Sequence, residues 1–535
     1  MRKSQYLLFL TLPLLLAVIL QHAGNVPLLT ELPPRGNSPT PAIQQSIITV
    51  DQAFADHWHQ HDCTPAEPAQ QLQVLRRLSL ALCGTSPSLE EVRRFLDDPA
   101  EDRLARWTDA ALRSPRFAHY FADRLARCLT GVEQGQLIIF RRDRLRDWLA
   151  RQLLDDVPWP DMVRSLVAAD GLWTDNPAVN YITVARGDDE VIDTNRLTAR
   201  TVRVFLGQRI DCAQCHDHPF DQRWKQQDFT GLTAWYSGAG LALSGVTDND
   251  TQLEDSPCVP FSSEWLPDHG TRRQRLAEWL VHPDNVRFER AIANRIWGLM
   301  TGRALIEPVD DLPHPDQPVP LPLVVLGQQF RENDSSLISL IRIIAGSQAM
   351  QQSSETSADD TLTRRLDKQN ALFPLTRLRP EQVVGSIFQS SLVATIDQDS
   401  PPIVRFRRLI AETEFIREFG DIGEDELTEQ GVTVSQTLLR MNGKLSREST
   451  QAGLLTGPSQ LLSFCSTDDS LIENAYLMCL TRYPDPQELE FFRRQLQSDP
   501  AESVDDDNQR QTHRQEATED LFWTLMNSPE FIWNH

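Results

Sequence analysis

Apolar residues recur at helical spacing along most of this chain. Residues 71–82 place Leu72, Leu75, Leu78 and Leu82 on one face, and Gly84 follows as a stop. Ser88-Leu89-Glu90-Glu91 is a capping box that opens a helix ending before Pro99. Residues 101–112 and 115–129 continue the pattern, with Trp107, Leu112, Phe117, Phe121 and Leu125 as candidate core. Helices over 142–154 and 161–169 are separated by Pro158 and Pro160. A further helix over 194–206 completes this first run. Strand signals are confined to a short stretch, 180–184.

Residues 237–270 are rich in Gly, Ser, Asp and Pro and read as an interdomain loop. Beyond them the helical period returns at 272–280, 287–300 and 336–344, the last apolar enough for deep burial. Six prolines between Pro308 and Pro322 exclude regular structure there. Helices at 380–392, 435–441, 471–481, 486–497 and 519–526 finish the unit. Residues 354–365 and 498–515 read as exposed polar loops. The pattern predicts a mostly α protein, two packed helical domains after an N-terminal signal or anchor segment. The expected boundaries are 1–23 for that segment, 24–45 for a linker, 46–240 and 271–535 for the domains, and 241–270 between them.

The first 23 residues carry Arg2 and Lys3, then an apolar run over 6–20. That run is shorter than the ~20 residues that span a bilayer, and it reads as an export signal. Cleavage after Ala23 would place Gln21 where a small residue is preferred, so an uncleaved anchor at 6–20 is the alternative. Either way the body is expected outside the cytoplasm, in the periplasm or cell envelope, with membrane contact only through this segment. Five prolines in 24–45 suit an extended linker.

Lys plus Arg number 52 against 75 Asp plus Glu, a formal net charge of −23. Such a surface repels phosphate backbones, which argues against nucleic acid as a partner. It serves solubility, and could steer a basic redox partner such as a cytochrome c.

The densest chemistry lies at Cys212-Ala213-Gln214-Cys215-His216-Asp217-His218, with Asp221 three residues on. With 8 Cys and 12 His in 535 residues, a C-x-x-C-H is expected about 0.003 times by chance. Three readings compete. Cys212 and Cys215 can form thioethers to c-type haem while His216 ligates the iron. The sixth ligand would then come from Met162, Met300, Met350 or the His57, His59, His61 group, or the position stays open. Alternatively Cys212 and Cys215 bind zinc with His216 or His218, and Asp217 or Asp221 completes or supports the site. Such a centre would suit an exported enzyme or scaffold linked to polymer breakdown. Lastly, the pair is structural, a disulfide or two thiols in a turn, with no cofactor. Cys83, Cys128 and Cys479 fall in apolar helical patterns and read as buried thiols. His57, His59 and His61 read as polar surface, and Asn294, Arg295, Asp310 and Asp311 as a polar cluster joining the two units. No assignable nucleophile–base pair or phosphate loop is present.

Several phrases together resemble a known family. Phe205-Leu206-Gly207 leading into Cys212–Asp221, then Trp224 and Asp228-Phe229, is similar to the signature of a planctomycete domain of unknown function, named for its association with a cytochrome c domain. Leu75-Arg76-Arg77-Leu78 and Ser114-Pro115-Arg116-Phe117 fit its opening. Ala293-Asn294-Arg295-Ile296-Trp297, Asp310-Asp311-Leu312 and Arg379-Pro380-Glu381-Gln382 resemble its usual C-terminal partner domain. Met441-Asn442-Gly443 and Asn527-Ser528-Pro529-Glu530-Phe531 resemble that partner's later motifs. The chain departs from the pattern at Ala81-Leu82-Cys83-Gly84, where relatives have Asp-Leu-x-Gly. After Leu312, only His314-Pro315 of the relatives' Pro-Ser-His-Pro turn is kept, and the following helix reads as eroded. The resemblance implies two-domain architecture, export and a redox setting, and no reaction.

Overall fold

The computed structural model describes residues 36–131, 142–187, 191–217, 224–242, 245–248, 256–397, 400, 415, 434–453, 456–497 and 507–535. The fold is mostly α, with a few short strands. Local chemistry explains the helix limits. Ser88 Oγ accepts from Glu91 N while Glu91 Oε2 accepts from Ser88 N, closing the capping box of Leu89–Leu96. The Gln71–Cys83 helix ends where Gly84 turns left-handed at φ +69°, and a side chain there would meet the Tyr120 ring at 2.3 Å.

Several expectations are corrected, among them the polar loops at 354–365 and 498–515, whose second halves are helical in Asp360–Lys368 and Asp507–Asn527. Residues 180–184 form no strand: a 3-10 turn at Pro177–Val179 runs into a helix at Asn180–Thr183. The Asn176 side chain accepts from Ala178 N and starts this turn, and burial of Tyr181 and Ile182 overrides the β-branched local preference. The stretch read as linker becomes helical at Pro41, in a helix Pro41–Gln60 capped by Thr40. Proline suits a first helical position, where its missing N–H is not needed. For the same reason Pro322 does not prevent a helix at Leu321–Glu332 after the proline-rich stretch, so that helix is not eroded. The segment 1–23, including the apolar run 6–20, lies outside the described residues. Among the described residues no helix is long and apolar enough to cross a membrane.

Two hydrophobic cores organise the interior. The larger draws on residues from Ile43 to Phe373, on both sides of the 241–270 segment, and holds Phe54, Phe117, Trp159, Trp235, Trp279 and Trp297. The smaller gathers Leu378 to Phe531 with Leu75, Leu80, Leu89, Val92 and Phe95. The Gln71–Cys83 helix is therefore shared: Val74, Leu78 and Leu82 face one core, Leu75 and Leu80 the other. Within 241–270, Gly245–Asp248 pairs antiparallel with both Ala239–Ala242 and Gly171–Leu172. A second small sheet pairs Thr376 with Asn534 and Arg377 with Trp533.

Candidate functional site

The Thr194–Phe205 helix points the chain at the site and ends in Leu206 and Gly207. Gly207 sits at φ +63°, and a Cβ there would lie 2.9 Å from Leu312 Cδ1. Only glycine suits both the left-handed backbone and that close approach. Asp211–Gln214 then forms a 3-10 turn, pinned inward by Ile210 and Ala213, both at 0% exposure. Cys212 lies within this turn and Cys215 caps its end. Both are free thiols and solvent-exposed. Main-chain bonds hold the turn: Ala213 N donates to Ile210 O (2.9 Å), and Cys215 N and His216 N both donate to Cys212 O (3.4 Å).

His216 is exposed beside them, and its Nδ1 lies 2.7 Å from Asp217 O. A carbonyl oxygen only accepts, so Nδ1 is the donor in this contact and Nε2 is left without a partner. This is the arrangement in which a metal-bound histidine is oriented by its other ring nitrogen. The Asp217 carboxylate is already engaged, with Oδ1 accepting from Gln226 N (2.9 Å) at the start of the Gln226–Thr233 helix. A carboxylate is favoured at a helix N-terminus. His218 and Asp221 lie outside the described residues. Among the described residues no three His, Cys, Asp or Glu side chains converge to hold one metal ion.

The turn is clamped from the second half of the chain. Arg203 Nη2 donates to Asp211 Oδ2 (3.0 Å), and its Nε lies 3.5 Å from Asp310 Oδ2. Arg209 reaches Asp310 Oδ1 through Nε and Nη2, both at 2.8 Å. Leu312 N donates to Gly207 O (2.6 Å). Asn294, at 0% exposure, fixes the approach: it accepts from Ile306 N and donates to Ile306 O and Val309 O. Asn294 and Asp310 thus serve the cluster read from sequence, Arg295 is buried, and Asp311 is exposed. Sequence reasoning placed Gly207 in the signature phrase without a structural role, and missed Arg203 and Arg209. The glycine before a ligand-rich run was a usable signal, but the partnership of Arg203 and Arg209 with an aspartate about a hundred residues away was not legible.

The other candidate ligands lie elsewhere. Met162, Met300 and Met350 are closed into the larger core at 0–1% exposure. His57 is buried and not on the polar surface; its ring meets that of His61 edge-on at 4.6 Å. Burial and the neighbouring His61 charge hold its pKa below the usual histidine value. His59 and His61 are exposed. A small cavity of about 10 Å³ lies among Thr198, Thr201, Leu232, Tyr236 and Trp279, with room for about one water and not for a porphyrin.

Residues 49–240 match PSCyt2, a protein of unknown function (DUF1549), and residues 272–414 match PSD1, a protein of unknown function (DUF1553). The two matches follow one another in the order that the sequence phrases imply. No curated protein and no solved structure matches this chain.

Proposed function

Since the chain belongs to the proteins that pair PSCyt2 with PSD1, two domains without an assigned activity, we propose its function from the exposed turn itself: a c-type-haem-bearing redox component of the cell envelope. Cys212 and Cys215 would hold the group through thioethers, and His216 Nε2 would ligate the iron. The group would supply one-electron chemistry, and the protein its ligation and hydrogen bonding.

The observation that carries this reading is the state of the three side chains. Two unpaired thiols stand exposed three residues apart at a turn, and the adjacent imidazole is held by its Nδ1 against Asp217 O, leaving Nε2 uncommitted. Haem attachment needs the thiols to reach carbon, not metal, so the three groups need not converge on one point. Zinc needs convergence, and among the described residues no three such side chains converge. Exposure also leaves both thiols open to the attachment machinery. The apolar run at 6–20 supports an exported location, where such attachment takes place.

The test is expression of the full chain in cells with c-type maturation machinery, followed by a pyridine haemochrome spectrum and intact mass. One covalent haem is expected, absent from the Cys212→Ala/Cys215→Ala variant. Colourless protein with stoichiometric zinc, or with a two-hydrogen mass loss, would overturn the reading in favour of a metal site or a disulfide respectively.

A further inference from the structure

We propose that Asp310 is a positioning residue for the C-x-x-C-H turn, so that the partner domain sets the geometry of a site carried wholly by the first domain; the functional part of this inference rests on the haem reading above. The carboxylate is 4% exposed and receives two arginines that both belong to the stretch around the turn. Arg209 stands two residues before Asp211, and holds Oδ1 through two nitrogens at 2.8 Å. Arg203 donates to Asp211 Oδ2 and makes a longer, 3.5 Å ion-pair contact with Asp310 Oδ2, so the first residue of the turn is linked to the same anchor through one guanidinium. A planar guanidinium keeps a fixed angle between its donors, which transmits orientation as well as charge.

The anchor cannot drift. Asn294, fully buried on the Val286–Thr301 helix, holds residues 306–309 by three hydrogen bonds to main-chain groups. Leu312 closes the contact from the other side, by its N–H to Gly207 O and its side chain against the Gly207 Cα. The route therefore runs from a core helix of the second matched segment, through 306–312, to Arg203, Arg209 and Gly207, and ends on the turn. The clamp reaches the turn at Asp211, the residue beside Cys212.

The deciding experiment is amide hydrogen exchange at Ala213, Cys215 and His216 in the full chain, comparing wild type with Asp310→Asn and Arg203→Gln. Asp310→Asn keeps the shape and removes the charge. Exchange at the three amides is expected to rise about ten-fold, and about three-fold in Arg203→Gln, with residues 468–480 unchanged as a measure of global opening. Rates within about two-fold of wild type at the turn in Arg203→Gln would overturn the proposal. So would a rise shared equally with residues 468–480, which would make Asp310 a purely structural residue. If Asp310→Asn does not fold, Arg203→Gln, altered at a side chain 22% exposed, decides alone. Exchange needs no haem, so failure of the haem reading shows as a missing Soret band while the exchange result stands. In haem-bearing protein the same variants are expected to shift the midpoint potential.

Discussion

Arg76 and Arg77 are 1% and 0% exposed and give their N–H groups to main-chain oxygens, whereas Cys212, Cys215 and His216 stand in solvent with their reactive atoms uncommitted. Arg76 donates to Cys479 O (3.0 Å) and Phe531 O (2.9 Å), inside the smaller core. Arg77 donates to Met350 O, Gln352 O and His535 O, and lies 3.7 Å from the centre of the Phe373 ring. Burial pushes the pKa of Arg77 down to about 9, yet leaves it charged at neutral pH. Here polar chemistry is consumed by the fold. At the turn it is held out of the fold by a buried frame of Ile210, Ala213 and Asp310. Buried groups tied to main-chain oxygens mark architecture, and exposed, uncommitted ones mark function.

The comparison can be broken most directly at Arg77. Arg77→Ala leaves the carbonyls of Met350 and Gln352 buried without their donor, and is expected to cost about 3–5 kcal/mol in urea denaturation. A loss below about 1 kcal/mol would mean that these buried hydrogen bonds are not architectural. Gly207→Ala comes next, because it introduces both a left-handed alanine and an overlap with Leu312. About 2–3 kcal/mol is expected, again by urea midpoint.

Acid offers a third handle, at the smaller core. Burial alone would raise the Glu530 carboxyl, but hydrogen bonds from His535 and Arg482 outweigh it and hold the pKa at about 2. A carboxyl with a depressed folded pKa stabilises the protein above its ordinary value near 4.5, and that contribution disappears as pH falls toward 2. About 2 kcal/mol should be lost across this window, allowing for the quarter of the side chain that solvent reaches, and Glu530→Gln should flatten the pH profile. The smallest stability effect belongs to Cys212→Ala/Cys215→Ala. Its unfolding free energy should match that of the wild-type protein without haem, within about 0.5 kcal/mol by urea denaturation, while the variant is expected to take up no covalent haem. A large loss of stability there would place the cysteines with Arg77, as architecture.

Much of this division was legible in the residues themselves. Helical spacing located Gln71–Cys83, Arg142–Leu154 and Arg272–Leu280 to within a residue, because their apolar faces and caps are local signals. Cys83 and Cys479 are buried thiols, as their apolar surroundings imply, and Cys128 is half-buried. Helices starting at Pro41 and Leu321 were obscured by prolines, whose meaning depends on falling in a first turn and not an interior one. His57 was misplaced because alternating His57, His59 and His61 look polar, while helical geometry turns only the first inward. The C-x-x-C-H was plain, but its frame was not. Pairing Arg203 and Arg209 with Asp310 requires the tertiary fold.

The shared Gln71–Cys83 helix has a kinetic consequence. Arg76 closes hydrogen bonds to partners 403 and 455 residues further along, and Arg77 reaches forward 458. The entropic cost of closing such loops grows only with the logarithm of their length, but formation is slow when native contacts are this distant. An early helix therefore waits, with two arginines and two apolar faces unmatched, until residues beyond 475 have been synthesised and have returned to it. Folding of this chain should be limited by that late docking step, and the intermediate before it should be the species most prone to aggregate.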